Sequence, residues 1–263
     1  VEEARQRHKY GPAETVALGE ALISGLILAS TSKRGERVSL SVKGDDYLRQ
    51  AFVDAESVGT VRGFLMTRKS VKVDENLGPW QTGNISVARL KHNEKEPYVG
   101  TVPILTGHLA KDITFYLSQS EQIPSAVGLS VNLNEDGTVQ TAGGFLVQVM
   151  PGATMEEIEQ LEINISNLQS LATQFSDDLN PVLLLGHIFN DESFTILEET
   201  PLIFYCNCSA ERVSRALRLL GADEIKDMIE KDKGAEINCD FCSKAYKFTV
   251  KDLEELIKTN PQV

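Results

Sequence analysis

The positions of the cysteines constrain this chain more than any other sequence feature. All four lie in the C-terminal part, as a Cys-x-Cys pair (Cys206, Cys208) and a Cys-x-x-Cys pair (Cys239, Cys242). Four sulfurs in two close pairs can complete a tetrahedral metal site. They can also form two short-range disulfides. The two states exclude each other, because a sulfur in a disulfide is no longer a thiolate ligand.

The spacing within each pair bears on the kind of metal site. A Cys-x-x-Cys between two strands is typical of a zinc knuckle, whose sulfurs lie about 2.3 Å from the ion. The Cys-x-Cys pair can direct both sulfurs to one side if the chain bends at Asn207. Zn²⁺, one per chain, is the default ion for four thiolates in a soluble protein, and an iron–sulfur cluster is an alternative that only the cysteine count supports.

The segment that carries the cysteines is too small to fold easily without such an ion. Residues 206–263 number 58, a size at which an apolar core alone gives marginal stability. Structural zinc contributes about 10–16 kcal/mol of apparent binding free energy, against about 5–15 kcal/mol for the stability of a whole domain. Loss of the ion should therefore unfold this segment, and oxidation of the thiolates to disulfides should eject the ion.

Composition and charge narrow the possible partners. The 263 residues are 41% hydrophobic and carry a formal charge of -12, as in an acidic soluble protein with one large and one smaller domain. A net negative field repels phosphate backbones, so we expect no nucleic-acid partner. Basic residues near the C-terminus are interleaved with acids and are expected to form a solvated face; they are Lys226, Lys231, Lys233, Lys244 and Lys247.

The most apolar stretch, Val16–Ala29, contains Glu20 and is shorter than a membrane span. Gly19 and Gly25 instead predict a buried, closely packed helix, so we expect no membrane partner. The charged N-terminus does not look like a signal peptide. A reducing compartment fits the cysteine clusters best, which indicates the cytoplasm, or an organelle if a leader has been removed.

Residues 1–152 are predicted to form a mixed α/β core domain within an overall α+β fold. A helix is expected from Pro12, because proline suits the first helical turn. Alternating or apolar runs predict strands, with a hairpin turn at Asp136-Gly137. The predicted strands lie at 38–42, 85–87, 99–105, 129–133 and 145–150.

Residues 153–205 are predicted to form a mostly helical, metastable linker. Thr154 and Glu157 have the spacing of a capping box, and an apolar stripe follows at Ile158, Leu161, Ile165, Leu168 and Leu171. A second apolar run extends from Leu179 to Phe189. The segment is too short for a core of its own, so it must pack on either the first domain or the cysteine domain.

Residues 206–263 are predicted to form the small C-terminal domain. Ser209 is a candidate N-cap for a helix that ends near Gly221. Strands are expected from Gly234 towards Cys239 and at 246–250, and Thr249 begins the cap of a last helix.

The remaining chemistry-bearing residues do not predict an enzyme. The four histidines, His8, His92, His108 and His187, form no spaced motif. Phosphate-loop and nucleophile-elbow sequences are absent, and Gly59-x-x-x-Gly63 lacks the spacing of a dinucleotide fingerprint. The Cys-x-x-Cys could serve a thiol oxidoreductase, but such a pair normally opens a helix. The run Ser118–Gln122 is more typical of a helix end that leads into a loop.

Several motifs together match a known family. Near the C-terminus they are Phe204–Ser209, Glu211-Arg212, Cys239–Cys242, Tyr246 and Phe248; earlier in the chain they are Val61–Gly63, Tyr98–Gly100, Tyr116–Gln122 and Ala142–Pro151. In this combination the chain resembles the 33 kDa heat-shock chaperone family, the redox-activated holdases. The resemblance extends over nearly the whole length and is loosest in the first 35 residues.

The resemblance implies a redox-regulated, ATP-independent stress chaperone. The reduced, inactive form would bind one Zn²⁺ through Cys206, Cys208, Cys239 and Cys242. Oxidation would form the disulfides Cys206–Cys208 and Cys239–Cys242 and release the zinc. The linker would then unfold, and the protein would dimerise and bind unfolding client proteins. The alternative is a constitutive zinc-ribbon interaction module.

Overall fold

The structure, a computed structural model, describes residues 1–68, 76–91, 94–168, 180–190 and 194–258. The chain divides into two compact units, Val1–Phe204 and Tyr205–Val263. Helices and strands occur in both units, which confirms the predicted α+β class. The division into 1–152, 153–205 and 206–263 stays a prediction.

The first unit contains a six-stranded sheet, a two-stranded hairpin and five described helices. Its strands are β1 (Arg37–Gly44), β2 (Leu48–Glu56), β3 (Thr60–Thr67), β4 (Gly83–Leu90), β5 (Tyr98–Pro103), β6 (Ser125–Leu133), β7 (Val139–Gln148) and β8 (Ile203–Phe204). Its helices are α1 (Glu2–His8), α2 (Pro12–Ser30), α3 (Leu109–Tyr116), α4 (Met155–Asn167) and α5 (Pro181–Phe189). The sheet order is β5-β4-β1-β2-β3-β8, and β3 with β8 is its parallel pair, while β6 and β7 form the separate hairpin.

The predicted strands and hairpin of the first unit are present, although β5 ends at Pro103 and β7 extends from Val139 to Gln148 rather than over 145–150. Two neighbouring strands, β2 and β3, were not predicted. Strands β2 and β3 are buried on alternate residues, as a half-buried sheet requires. Several of their inward positions hold small residues, such as Ala51, Ala55 and Gly63. Large apolar residues, Phe52 and Phe64, lie on the other face, so apolar and polar residues do not alternate cleanly and the pattern did not identify these strands.

Helix α2 lies between the sheet and the hairpin and makes up the centre of the core. A Cβ at Gly25 would come within 2.6 Å of Val53 on β2, and one at Gly19 within 2.8 Å of Val131 on β6. The two glycines therefore allow a sheet strand and a hairpin strand to approach opposite faces of the helix. This confirms the closely packed helix that Gly19 and Gly25 predicted.

The length argument against a membrane span was wrong for this helix. With 19 residues, α2 is longer than its apolar run, and by length and composition it could cross a membrane. Burial, rather than length, argues against a membrane span, because eleven residues of α2 are buried within the protein. An apolar helix that is covered on two faces by strands is a core helix of the fold.

The described part of the middle segment packs on the outer face of β7. Successive residues of a strand point to opposite sides. Gly144 faces α2, whereas Phe145 forms a separate small cluster with Leu184 and Ile188 of α5. Partly buried side chains around this cluster are Val147, Leu161, Ile165 and Leu168. The segment thus lies on the first domain, one of the two supports considered; Leu171 and Leu179 lie outside the described residues.

The Ser118–Gln122 run ends helix α3, as predicted. Residues Leu117–Glu121 form a π-helical turn, and Gln122 closes it with a left-handed φ of 58°. The carboxylate of Glu121 accepts hydrogen bonds from Tyr116 at 3.0 Å and from Arg89 at 2.8 Å. The motif therefore ties the end of α3 to strand β4.

Candidate metal centre

The second unit is a small α/β structure that brings the two cysteine pairs together. It consists of α6 (Ala210–Leu219), α7 (Ala222–Asp227), β9 (Gly234–Asn238), β10 (Ala245–Thr249) and α8 (Val250–Lys258). Its core contains Leu217, Ile225, Tyr246, Phe248, Leu253 and Leu256. These six buried side chains make a much smaller core than that of the first unit, which agrees with the marginal stability expected from its length.

Local sequence signals position each cysteine pair. Cys206 and Cys208 directly precede α6, where the Ser209 side chain accepts a hydrogen bond from the Arg212 amide at 3.3 Å, as predicted for an N-cap. The Arg212 side chain also donates to the Asn207 side chain at 2.7 Å. This contact holds the residue between the first two cysteines, at the point where the sequence required a bend.

The second pair lies in the turn that joins β9 and β10. The Cys239 amide donates to the Lys244 carbonyl at 3.0 Å, and the amides of Cys242 and Ser243 both donate to the Cys239 carbonyl. Strand β10 ends at Thr249, one residue earlier than predicted, because Val250 already belongs to α8. The Thr249 hydroxyl and Asp252 complete the expected cap of that helix.

The four sulfur atoms lie within 4.8 Å of one another. The Sγ atoms of Cys206 and Cys239 are 3.7 Å apart, and those of Cys208 and Cys242 are 3.4 Å apart. Four sulfurs about 2.3 Å from a tetrahedral ion would be about 3.8 Å apart. The donor set and its spacing therefore fit a four-thiolate metal site, and all-sulfur donors favour Zn²⁺ over Mg²⁺ or Ca²⁺.

Two close sulfur–sulfur contacts, Cys206–Cys239 and Cys208–Cys242, join the two pairs across the site. The four cysteines, all within the described ranges, form no disulfide. A disulfide requires a sulfur–sulfur distance of about 2.05 Å. The predicted bridges Cys206–Cys208 and Cys239–Cys242 stay a prediction.

Tyr246 adds a hydrogen bond to this cluster that the sequence did not indicate. Its hydroxyl donates to the Cys208 sulfur at 3.0 Å, and the Lys244 ammonium lies 5.3 Å from the centre of its ring. The sequence assigned Tyr246 to a strand and to the motifs of the family resemblance, but gave it no role at the cysteines. Its further signal was its position four residues after Cys242, on the buried face of β10.

The thiols differ in their acidity because their surroundings differ. Burial by itself raises the pKa of Cys208, but hydrogen bonds from Tyr246 and the neighbouring thiols outweigh it and bring the pKa to about 7. Burial raises the pKa of Cys239 to about 12, and the thiol of Cys206 adds to that rise. Burial also raises the pKa of Cys242. Because burial opposes ionisation of Cys239 and Cys242, a bound cation would be needed to hold all four residues as thiolates.

Other candidate residues lie away from the cluster. His8 stacks on Tyr10, His108 precedes α3, and the His187 ring contacts the Leu183 carbonyl; His92 lies outside the described residues. Among the described residues, the cysteine set is the group of metal-binding side chains that comes together. Three of the lysines pair with acids as expected, in the ion pairs Lys226–Asp223, Lys231–Asp227 and Lys247–Glu236.

The fold and the site define a class of protein in which a large α+β unit is followed by a small four-thiol unit. The family model described as "Hsp33 protein" matches residues 1–249. The chain belongs to the Hsp33 family of chaperones, which confirms the resemblance drawn from the motifs.

Individual relatives agree with this assignment. The 33 kDa chaperonin of Streptococcus agalactiae is 37% identical over 262 residues, which cover 98% of this chain and 90% of the relative. That of Lactococcus lactis is 38% identical over 264 residues, with 98% and 92% covered. The crystal structure of the Thermotoga maritima 33 kDa chaperonin matches with a TM-score of 0.89 at 33% identity, covering 98% of this chain and 89% of that one.

Proposed function

We propose that this chaperone is a redox-regulated, ATP-independent holdase that is inactive while its four cysteines bind one Zn²⁺. The observation that carries the proposal is the set of four sulfur atoms within 4.8 Å of one another in a member of a chaperone family. Cys206, Cys208, Cys239 and Cys242 would be the ligands. When bound, the ion would cross-link the two cysteine pairs and so stabilise a unit with a small apolar core.

The proposed activating step is a two-electron oxidation of each cysteine pair. Two thiolates lose two electrons to hydrogen peroxide, one S–S bond forms, the O–O bond breaks, and two protons complete two molecules of water. We propose the pairs Cys206–Cys208 and Cys239–Cys242, the pairing that the resemblance to the family implies. Sulfurs in disulfides no longer act as thiolate ligands, so zinc is released.

The proposed consequence is that the middle segment loses its fold. None of the residues of α4 is buried, and the cluster under α4 and α5 has three buried side chains, Phe145, Leu184 and Ile188. So little burial provides weak local stability. Release would expose the apolar stripe of α4 together with the outer face of β7, and a contiguous apolar surface is where a non-native chain can bind.

The proposed partners follow from that surface. Unfolding or aggregation-prone clients would bind the exposed apolar residues, and the oxidised protein would form a homodimer. The formal charge of -12 argues against nucleic acid as a partner. We propose the cytoplasm as the compartment, with an organelle as the alternative, since a four-thiolate switch needs a reducing environment at rest.

The test compares zinc release with chaperone activity. Zinc-loaded protein is treated with peroxide at raised temperature, while a chelating dye follows zinc and light scattering follows aggregation of a heat-denatured client. We expect both signals to change together and mass spectrometry to find the two local disulfides. A Cys239→Ser variant should bind zinc weakly and lack the second bridge. Zinc release without any gain in anti-aggregation activity would contradict the proposal and favour the constitutive zinc-ribbon module.

A further inference from the structure

Two separate features cover the outer edge of β3, the Tyr10 side chain and strand β8. The Tyr10 hydroxyl donates to the Leu65 carbonyl and accepts from the Leu65 amide, both at 2.8 Å. Because the backbone groups of alternate strand residues point to the same side, Val61 and Gly63 share this outer edge with Leu65. Tyr10 thus closes one end of the edge, and the two-residue strand β8 covers the other end.

Strand β8 is attached through one backbone stretch and one aromatic side chain. It pairs in parallel, with Ile203 opposite Thr60 and Phe204 opposite Val61. The Ile203 amide donates to the Gly59 carbonyl at 2.9 Å. The approach is close enough that a Cβ at Gly59, whose φ is +87°, would collide with the Pro201 carbonyl. The edge therefore accepts an extended backbone in direct contact.

Phe204 supplies the side-chain anchor of this strand. Its ring packs against the main core, and the Arg7 guanidinium lies 5.7 Å from the ring centre. In contrast, Leu202 is 66% exposed and Ile203 is 54% exposed. One aromatic anchor and a short ladder form a weak attachment, and Phe204 stands only two residues before Cys206 in sequence.

We infer that the β3 edge is a strand-addition site for an extended apolar segment of an unfolded client, and that β8 occupies it in the resting protein. The inference rests on the proposed function, because the client is the one that a holdase would bind. Backbone hydrogen bonds from Gly59 and Val61 would give sequence-tolerant binding. An aromatic side chain at the place of Phe204 would provide the preference, through the core contact and the cation–π contact with Arg7.

Strand β8 indicates which kind of segment the β3 edge binds. The edge already holds the extended strand Ile203–Phe204, which follows the uncharged residues Pro201 and Leu202. Any segment that replaces it must offer the same extended backbone and an aromatic residue in the same register. Non-native chains expose such segments in many sequences, which matches a site that recognises backbone more than side chains.

The test releases β8 without oxidation. Ile203→Pro removes the amide that bonds to Gly59, whereas the matched control Ile203→Ala keeps the amide and trims a half-exposed side chain. The probe is a synthetic peptide with the sequence of residues 198–205, and a second peptide has alanine in place of the phenylalanine. We expect the reduced, zinc-loaded Ile203→Pro protein to bind the first peptide about tenfold more tightly than wild type or the control does. The second peptide should bind more weakly than the first.

Hydrogen exchange provides a measurement on the unaltered protein. The Val61 amide should exchange at least about tenfold faster after peroxide treatment and become protected again when the peptide is added. If Val61 keeps its protection while zinc is released and aggregation is suppressed, the edge inference is wrong and the proposed function stands. If wild-type protein neither releases zinc nor suppresses aggregation, the proposed function fails. Peptide binding by reduced Ile203→Pro does not depend on oxidation, so it still tests the β3 edge in that case. Concentration-dependent dimers that protect Val61 without peptide would make a second copy the occupant and overturn the inference.

Discussion

Helices α2 and α4 pack on opposite faces of strand β7, yet they are buried to very different extents. Eleven of the 19 residues of α2 are buried, whereas none of the 13 residues of α4 is. Gly144 faces the first helix, and Phe145 faces the side on which the second one lies. The same strand thus supports one helix that is part of the core and one that contributes no buried residue.

Under the proposed function, this difference would allow α4 to unfold without destabilising the rest of its unit. Apolar burial contributes about 25 cal/mol per Å², so α2 is bound to the fold through many covered side chains. Helix α4 begins with a complete capping box between Thr154 and Glu157 but lacks deep burial. Local hydrogen bonds therefore fix where this helix begins, but little apolar burial attaches it to the rest of the unit.

The largest expected effect concerns a residue of α2. Leu22 is 2% exposed, so Leu22→Ala should lower the free energy of unfolding of the first unit by about 2–5 kcal/mol, through lost burial and a residual cavity. Leu161→Ala, in the stripe of α4, is the matched control and should increase hydrogen exchange of α4 alone. Urea unfolding followed by circular dichroism measures the first effect. Equal global losses for both variants would show that the two helices belong to one cooperative unit.

A second prediction concerns the half-buried carboxyl group of Glu20 on α2. Burial raises the pKa of Glu20 from 4.5 to about 7. The folded state therefore holds the proton more strongly than the unfolded state, and this contribution to stability is lost as the pH rises from about 4.5 to about 7. Glu20→Gln should raise the free energy of unfolding at pH 8 by on the order of 2–3 kcal/mol and change it little at pH 4.

The control for that variant is Glu159→Gln on the exposed surface of α4, which removes the same charge without burial. Thermal unfolding at both pH values measures the difference. An equal stabilisation by the two variants would assign the effect to net charge rather than to burial of Glu20.

A third prediction links the metal site to α4. Tyr246→Phe keeps the packed ring but removes the donor to Cys208. In the proposed zinc-bound form, four thiolates around Zn²⁺ would carry a net negative charge that this donor would stabilise. Loss of such a neighbouring hydrogen bond costs about 10-fold or more in metal affinity. We expect the variant to lose zinc to a chelating dye about tenfold more readily than wild type. The amides of α4 should begin to exchange at a lower peroxide concentration, whereas exchange in α2 should not change.

Tyr205→Phe is the control, because that side chain is 57% exposed and stands next to Cys206. An unchanged affinity in Tyr246→Phe would mean that the hydrogen bond does not stabilise the metal-bound thiolate.

The smallest expected effect concerns the cap of α4. Thr154→Ala removes the hydroxyl that accepts from the Glu157 amide, and loss of an N-cap costs about 1 kcal/mol. Because α4 has little burial to compensate, the loss should appear as faster amide exchange in that helix. Thr249→Ala is the matched variant in the second unit, where the hydroxyl accepts from the Asp252 amide. If Thr154→Ala left exchange in α4 unchanged, packing rather than capping would hold the helix.

Local signals predicted a large part of the fold. The caps at Thr154, Ser209 and Thr249, the turn at Asp136-Gly137 and the start of α2 at Pro12 depend on residues that are close in sequence. The hydrophobic pattern did not predict strands β2 and β3, because small residues such as Ala51 and Ala55 occupy buried positions there. Alanine at these positions allows the close approach of α2. The approach of α2 depends on residues far apart in sequence, so no local sequence pattern indicates it.

The sequence by itself determined that four sulfurs occur in two close pairs, and that the segment holding them is too short for a large core. These features depend on residue type and spacing, which folding cannot change. Only the tertiary structure decided that sulfurs of different pairs lie 3.4 and 3.7 Å apart, that Tyr246 donates to Cys208, and that β8 covers the edge of β3. Each of these contacts joins residues far apart in sequence, and such contacts are fixed by how packed elements approach one another.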